Sequence, residues 1–229
     1  MCTAFIHRGD DYLAGFNFDV DPAVWQYKLI MNPQLFYIGI RMGRTLYKTH
    51  GVNCSGQFGV LPYRNGPVET KLHRGGRYQR LDLLDGRWIA GDIDYVNLES
   101  ILEQKEIVDA PGCSMHALFS DAPGHIMLVE PGSGHISFEK QAVVGNFPLI
   151  ERPSELSGPF YGAERYETAC RMLETENTFR IEDGLALLQA AAQTGQWATR
   201  ISFLYSGNEN CVFYCLNGDF SIVKRHDFS

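Results

Sequence analysis

The sequence lacks any long apolar run. No segment approaches the roughly 20 consecutive apolar residues that a transmembrane helix needs, and the first residues lack the charged and then apolar segments of a secretion signal. Basic residues are also few, since 20 Lys and Arg stand against 27 Asp and Glu and the formal net charge is -7. We therefore expect a cytoplasmic protein whose partners include neither a membrane nor a nucleic acid.

Paired metal-ligand motifs are missing as well. The six cysteines contain no Cys-x-x-Cys pair and the seven histidines show no ligand spacing, so neither a metal ion nor another cofactor is expected. Without a secretion signal the cysteines are expected to be free thiols, and Cys211 and Cys215 to fill the core from one face of a strand. His50 and His116 lie in predicted strands and are expected in the core or on a sheet face.

The composition is that of a folded protein, with 45% hydrophobic and 21% charged residues, and we expect residues 1–229 to form one domain. A hairpin is predicted at the chain start, where Cys2–His7 and Tyr12–Phe18 flank an Arg-Gly-Asp-Asp turn. Asn217-Gly218 is a strong hairpin signal near the other end. Further apolar segments bounded by Gly, Pro or Asp predict strands at 36–41, 45–49, 57–61, 115–120, 125–130, 134–139, 199–205, 211–216 and 220–224.

Three segments have the periodicity of helices, namely Asn97–Ile107, Gly162–Glu176 and Ile181–Thr194. Strands and helices occur in blocks, which favours an α+β fold over a strictly alternating parallel one. Two antiparallel sheets packed face to face, with helices covering the outside, would bury all of these elements.

Cys2 is the first residue with a chemical implication. Methionine aminopeptidase removes Met1 when the second side chain is small, so the mature chain is expected to start with a thiol beside a free α-amine. The ordinary pKa of the amine is about 8 and that of the thiol about 8.5, so one group can take the proton of the other near neutral pH. Nucleophile and base then belong to one residue, although an incidental small residue at this position is the alternative.

Asp19 ends the second arm of the predicted hairpin, and pairing of the two arms brings it close to the chain start. A carboxylate there can hold the α-amine in position and tune its proton affinity. The alternative is a strand-end Asp that caps a turn before Asp21-Pro22.

Five segments that follow one another in order carry a family resemblance. They are Met1-Cys2-Thr3, Gly15–Asp19, Gly51–Gly56, Gly145–Pro148 and Gly162–Tyr166. Together they resemble the choloylglycine hydrolase family of N-terminal nucleophile (Ntn) hydrolases, which includes bile salt hydrolases and penicillin V acylases, and the resemblance runs from Cys2 to about Asp219. It implies a four-layer αββα sandwich and cleavage of a linear C–N amide bond in a small N-acyl molecule.

The resemblance implies roles for five residues. Cys2 would be the nucleophile and, through its α-amine, the base, and Asp19 would hydrogen-bond the N-terminal residue. Asn146 would donate to the oxyanion, and Arg165 would support the charge distribution near the nucleophile. Tyr63 falls where penicillin V acylases have tyrosine and bile salt hydrolases have asparagine. Without the resemblance, Asn146 would be a turn residue, Arg165 a solvated residue in the first turn of a helix, and Tyr63 an aromatic residue beside a loop.

Phe16 departs from the family, whose members usually carry arginine after the glycine of the second strand. A phenyl ring cannot donate a hydrogen bond to a thiolate or a substrate carbonyl. Either Arg165 or Arg200 supplies the cation, or the substrate differs, or activity is lost. The residues expected to contact substrate are Phe16, Trp25, Phe58, Phe147 and Arg200, with the aromatic rings lining an apolar acyl pocket or simply filling core.

Three functions stay open at this stage. The first is an amide hydrolase that works through a Cys2 thioester, and the second is an acyltransferase to an amine acceptor. The third is a catalytically silent Ntn-fold protein that binds an acylated ligand, which Phe16 favours. The resemblance also leaves open a homo-oligomer, either a dimer or a tetramer.

Overall fold

The structure is a computed structural model that describes residues 2–151, 162–174 and 178–228. One antiparallel sheet contains six strands: β1 (Thr3–Arg8), β2 (Tyr12–Asp19), β12 (Gln141–Val144), β13 (Thr199–Ser206), β14 (Cys211–Leu216) and β15 (Lys224–Asp227). Their order across the sheet is β12-β1-β2-β13-β14-β15. The N-terminal hairpin therefore lies inside this sheet, with a neighbour on each side.

The second antiparallel sheet contains seven strands: β3 (Tyr27–Asn32), β4 (Leu35–Met42), β5 (Thr45–Asn53), β6 (Phe58–Val60), β9 (Ala117–Ser120), β10 (Ile126–Glu130) and β11 (Gly134–Ser137). Their order is β11-β10-β9-β6-β5-β4-β3. A short parallel pair is formed by β7 (Tyr78–Arg80) and β8 (Glu106–Val108). The helices are α1 (Leu81–Ala90), α2 (Tyr95–Gln104), α3 (Ala163–Glu174) and α4 (Ile181–Ala190).

Side-chain alternation along the strands builds three apolar layers. In β1, Ala4 and Ile6 join the core between the two sheets, whereas Phe5 points to the opposite face and packs with the cluster under α3 and α4. On the other side of the molecule, Leu84 and Trp88 of α1 pack against the outer face of the second sheet. The layer order is thus helices, sheet, sheet, helices, which is the expected α+β, four-layer αββα arrangement.

The sequence-based boundaries are wrong in several places. The predicted strand at 220–224 is a turn, because the Asp219 carboxylate accepts a hydrogen bond from the Ser221 amide at 3.0 Å, and β14 pairs instead with β15. The predicted helix Asn97–Ile107 ends at Gln104, since β8 begins at Glu106.

Two helix ends also differ from expectation. The last predicted helix stops at Ala190 and does not reach Thr194. The helix predicted over Gly162–Glu176 spans Ala163–Glu174, and its last two predicted residues lie outside the described part of the chain. The sequence did not predict α1, β3, β7 or β12, and the strand predicted at 220–224 overlaps β15 at Lys224 alone.

Several local predictions are confirmed. Asn217 and Gly218 have φ angles of 56° and 69°, as a tight hairpin turn requires. His50 and His116 are 1% and 0% exposed, and the six cysteines are free, with Cys211 and Cys215 buried.

None of the helices in the described ranges is long and apolar enough to cross a membrane.

Asp85 is an uncompensated carboxyl beneath the second sheet. The backbone at Gly59 approaches it so closely that a Cβ there would lie 2.5 Å from Asp85 Oδ1, which explains the glycine. Neither carboxyl oxygen has a hydrogen-bond partner within the described residues. Burial therefore raises the pKa of Asp85 well above its usual range, and the nearby charge of Asp82 raises it further.

We predict that Asp85→Asn becomes more stable relative to the wild type as pH rises. Because the pKa of Asp85 is higher in the folded state, the wild type loses stability as pH rises above the unfolded-state pKa of about 3.9. The free energy of unfolding falls by at most about 1.4 kcal/mol per pH unit. The loss ends when pH passes the folded-state pKa. Urea unfolding at a series of pH values measures the difference. The exposed Asp92→Asn is the control, and a difference for Asp85→Asn that stays constant with pH would contradict the burial argument.

Candidate active site

The β1–β2 hairpin places the Cys2 thiol beside Asp19. Thr3 pairs with Asn17 across the hairpin, so the residue before β1 lies opposite the last residues of β2. The backbone amide of Asp19 hydrogen-bonds the thiol, and Cys2 is only 6% exposed. This burial raises the pKa of the Cys2 thiol.

The Asp19 carboxylate is buried and fully engaged. It accepts hydrogen bonds from Thr199 Oγ1 at 2.6 Å, Gln193 Nε2 at 2.6 Å and Arg165 Nη1 at 2.8 Å. Burial raises the pKa of Asp19 to about 6, even though these donors act to lower it. The carboxylate is therefore ionised at neutral pH and becomes protonated in mildly acidic solution.

Arg165 connects the hairpin to the segment after β12. Its Nη1 pairs with Asp19, and its Nη2 donates to Asn146 Oδ1 at 3.3 Å. The guanidinium reaches this position from the first turn of α3, directly after Gly162. Gly162 has φ +87°, and a Cβ there would lie 2.6 Å from Arg165 Nη2, so both the backbone conformation and the space require glycine.

Asn146 is held from both ends of its amide. Its Oδ1 accepts from Arg165, while its Nδ2 donates to the main-chain carbonyl of Tyr63 at 2.7 Å. The side chain is fully buried. An amide nitrogen carries two hydrogens, and the bond to Tyr63 uses one of them; Asn146 itself is not among the residues that line the cavity beside Cys2.

A buried ionic cluster fixes the segment that carries Asn146. His116 has one ring nitrogen 2.9 Å from the Gly145 carbonyl and the other 3.1 Å from Glu130 Oε1, so its ring bridges β10 and the segment after β12. Glu130 also accepts from the amides of Leu149 and Ile150 at 2.8 and 3.2 Å. Burial acts to raise the pKa of Glu130, but these hydrogen bonds hold it below its usual value.

Cys2 and Asp19 are among the residues that line a cavity of about 400 Å³. Trp25, Trp197 and Tyr63 also line it, and Tyr63 is 37% exposed. The rest of its wall is mainly apolar and includes Phe18, Val20, Ile40, Leu61 and Met115. The cavity therefore suits an apolar group next to a polar reacting centre.

The predicted site residues fall into two groups. Cys2, Asp19, Arg165 and Asn146 are joined through the contacts above, and Tyr63 and Trp25 lie at the cavity wall. The remaining predicted residues lie elsewhere. Phe16 and Phe58 lie in the core between the sheets, and Phe147 packs against Tyr166 with ring centroids 5.1 Å apart. Arg200 donates from its Nε to the Val20 carbonyl at 3.3 Å. The structure does not bring these four to the cavity wall.

Several site residues carried no sequence signal. Thr199 and Gln193 reach Asp19 only because β13 pairs with β2, with Thr199 opposite Asp19, and no local pattern predicts that pairing. Trp197 lies in the same connection, and His50 was expected merely as a buried residue. Within the described ranges, no group of three His, Cys, Asp or Glu side chains is placed to hold a metal ion.

We predict that Glu130→Gln destabilises the protein by about 3 kcal/mol, because it removes a buried carboxylate that contacts His116, two backbone amides and the Arg64 guanidinium. The loss should appear in urea unfolding at neutral pH. The exposed Glu139→Gln provides the matched control and should change stability by less than about 0.5 kcal/mol. Equal effects of the two substitutions would contradict a paired charge at this position.

No protein-family model matches the sequence, and no curated protein matches it either. Solved structures do match. A mutant of conjugated bile acid hydrolase from Clostridium perfringens has a TM-score of 0.72 at 13% identity, over 99% of this chain and 92% of that chain. Penicillin V acylase from Agrobacterium tumefaciens has a TM-score of 0.54 at 13% identity, over 100% and 92% of the two chains.

A third match is a Caenorhabditis elegans ortholog of N-acylethanolamine-hydrolyzing acid amidase, with a TM-score of 0.50 at 11% identity, over 89% of this chain and 92% of that chain. Identities this low show the fold and not the substrate. The matches agree with the two sheets and outer helices described above. The chain therefore has the four-layer αββα fold of these structures, as its sequence motifs predict.

Proposed function

We propose that the chain is a cysteine Ntn hydrolase that cleaves the linear C–N bond of a small N-acyl amide through a thioester at Cys2. One observation carries the proposal: a cysteine at the second residue lines a cavity, beside a buried carboxylate that is paired with a guanidinium. The fold is shared with structures named as hydrolases or acylases of amides, which supports amide hydrolysis in general.

The first step needs the α-amine that removal of Met1 would free. Burial raises the pKa of the thiol, so a free thiolate is scarce at neutral pH. Transfer of the thiol proton to the amine of the same residue, as sulfur attacks the carbonyl carbon, avoids that cost. The ionised Asp19 carboxylate then stabilises the ammonium, and Arg165 keeps that carboxylate in place.

The oxyanion of the tetrahedral intermediate requires a positioned donor. We assign this role to the second N–H of the Asn146 amide, whose orientation is set by Arg165 on one side and the Tyr63 carbonyl on the other. Donors that are fixed before the reaction stabilise the developing charge without reorganisation, and one of them contributes on the order of 10² to 10³ in rate.

The intermediate collapses when the C–N bond breaks and the α-ammonium returns its proton to the leaving amine. The acyl group remains on sulfur as a thioester, with its apolar part in the cavity. Water then attacks the thioester carbonyl while the α-amine accepts its proton, and the carboxylic acid and the thiol are released.

We predict that activity requires an unmasked Cys2. A chain that starts at Cys2, prepared by cleaving a ubiquitin-like fusion, should release p-nitroaniline from butanoyl to dodecanoyl p-nitroanilides. One glycine added before Cys2 removes the base and should lower kcat/KM by at least about 10², and Cys2→Ala should be inactive. Cys54→Ala, at an exposed cysteine, is the matched control and should retain full activity. Equal rates with and without the added glycine would rule out this mechanism.

We predict an acidic limb in the pH profile of the Cys2-starting chain. Asp19 is needed as a carboxylate, so kcat/KM should fall as pH drops through about 6, the raised pKa of this group. Asp19→Asn should lower activity at neutral pH by at least about 10-fold and remove the limb. Stopped assays across the pH range read both effects, and a limb that persists unchanged in Asp19→Asn would show that another group titrates.

A silent ligand-binding protein is the second candidate, and two observations favour it: the thiol is 6% exposed, and the apolar Phe16 supplies no hydrogen bond. Iodoacetamide labelling with peptide mapping separates the two functions. An Ntn hydrolase requires Cys2 to react once its amine is free, whereas a Cys2 that stays unlabelled while the exposed Cys54 reacts supports the binding protein.

A further inference from the structure

His50 is a polar side chain that lines the cavity but has no part in the mechanism above. It lies in β5 and is 1% exposed, and its ring is among those that form the wall around Cys2 and Asp19. It stacks on Phe16 with ring centroids 4.7 Å apart and planes 27° apart, and its centroid is 5.3 Å from that of Phe18. The ring is therefore fixed by packing on the core side.

The main chain determines which nitrogen of His50 carries the proton. The backbone amide of Leu61 donates to His50 Nδ1 at 3.0 Å. Because a backbone N–H is only a donor, Nδ1 must be an unprotonated acceptor, and the ring proton resides on Nε2. Burial also lowers the pKa of His50 to about 3, so the ring is neutral at any pH at which the protein would be assayed.

The Nε2–H group has no assigned acceptor. Within residues 2–151, 162–174 and 178–228, the only hydrogen bond of the His50 side chain is the one from Leu61. The ring lines the cavity, so an acceptor for this N–H would be a molecule bound there.

We infer that His50 donates a hydrogen bond through Nε2–H to a carbonyl oxygen of the substrate, and that it selects uncharged N-acyl amides. This inference rests on the proposed function for the identity of the ligand. A neutral donor satisfies a carbonyl but does not compensate a carboxylate. The charge nearest to it in the wall is the Asp19 carboxylate, and the guanidinium of Arg165 is already bound to Asp19 and Asn146. An anionic group in this cavity would share the wall with the Asp19 carboxylate, and the like charge would oppose its binding.

The tautomer and the ligand are tested by nitrogen NMR on Cys2→Ala protein with labelled histidine, which needs no turnover. We expect an unprotonated Nδ1 and a protonated Nε2, and a shift of the Nε2–H resonance when octanamide is added. Octanoate, with the same chain, should bind at least about 10-fold more weakly. A proton on Nδ1, no shift with octanamide, or octanoate binding as tightly as octanamide would each overturn the inference.

Kinetics on the Cys2-starting chain supply the second test. His50→Asn keeps an acceptor for the Leu61 amide but is too short to donate into the cavity, whereas His50→Gln places an amide N–H near the position of Nε2. With octanoyl p-nitroanilide we expect kcat/KM to fall about 10²-fold in His50→Asn and to recover to within about 10-fold in His50→Gln. The ratio of wild type to His50→Asn should be constant between about pH 6 and 9, because a neutral ring does not titrate there.

The outcomes separate this inference from the proposed function. If His50→Asn and His50→Gln lose kcat/KM equally, and each loss follows the fall in the urea unfolding midpoint of that variant, His50 has only a structural role. If the chain shows no turnover but the NMR shift with octanamide is present, the hydrolase proposal fails and the donor role of His50 survives.

Discussion

The site depends on the burial of one carboxylate. Asp19 is 3% exposed, and a buried charge is tolerated only when donors replace the lost water. Those donors come from α3, from the connection before β13 and from the start of β13, so three separate parts of the chain must converge on the end of β2. Arg165, one of them, extends the same network to Asn146. Satisfying a single charge thus assembles the groups that an acyl transfer needs.

The remainder of the cavity is neutral and mainly apolar, which gives the site its chemical character. The thiol is buried and its pKa is raised, so the attack that we propose for Cys2 needs a base beside the thiol and cannot rely on a free thiolate. The His50 ring is neutral and stacked on Phe16. We infer that a site of this kind selects uncharged substrates, since its Asp19 carboxylate is already paired with Arg165.

Local sequence signals predicted the parts of the fold that depend on local geometry. The N-terminal hairpin follows from two short apolar arms around a turn, and that hairpin alone is enough to bring Asp19 near Cys2. The turn at Asn217-Gly218 needs positive φ angles that these residues adopt readily. By contrast, α1 was missed because Asp85 and Gly86 interrupt its apolar pattern, and β15 because the Asp219 turn displaces the strand along the chain.

The partners of the remaining site residues depend on long-range contacts, which local sequence patterns could not predict. Thr199 and Gln193 become partners of Asp19 through the register of β13 on β2, and His50 gains its tautomer from Leu61, which lies 11 residues further along the chain. The aromatic rings expected around substrate were chosen by their proximity to motifs in the sequence. Three of them, Phe16, Phe58 and Phe147, are not in the cavity wall, because Phe16 and Phe58 pack in the core between the sheets and Phe147 packs against Tyr166.

The most direct test is intact-protein mass spectrometry after rapid acid quenching of the Cys2-starting chain with octanoyl p-nitroanilide. The account predicts a transient species heavier by one octanoyl group, with the acyl group mapped to the Cys2 peptide and released by hydroxylamine. Release of p-nitroaniline without an acylated Cys2, or acylation at another residue, would contradict it.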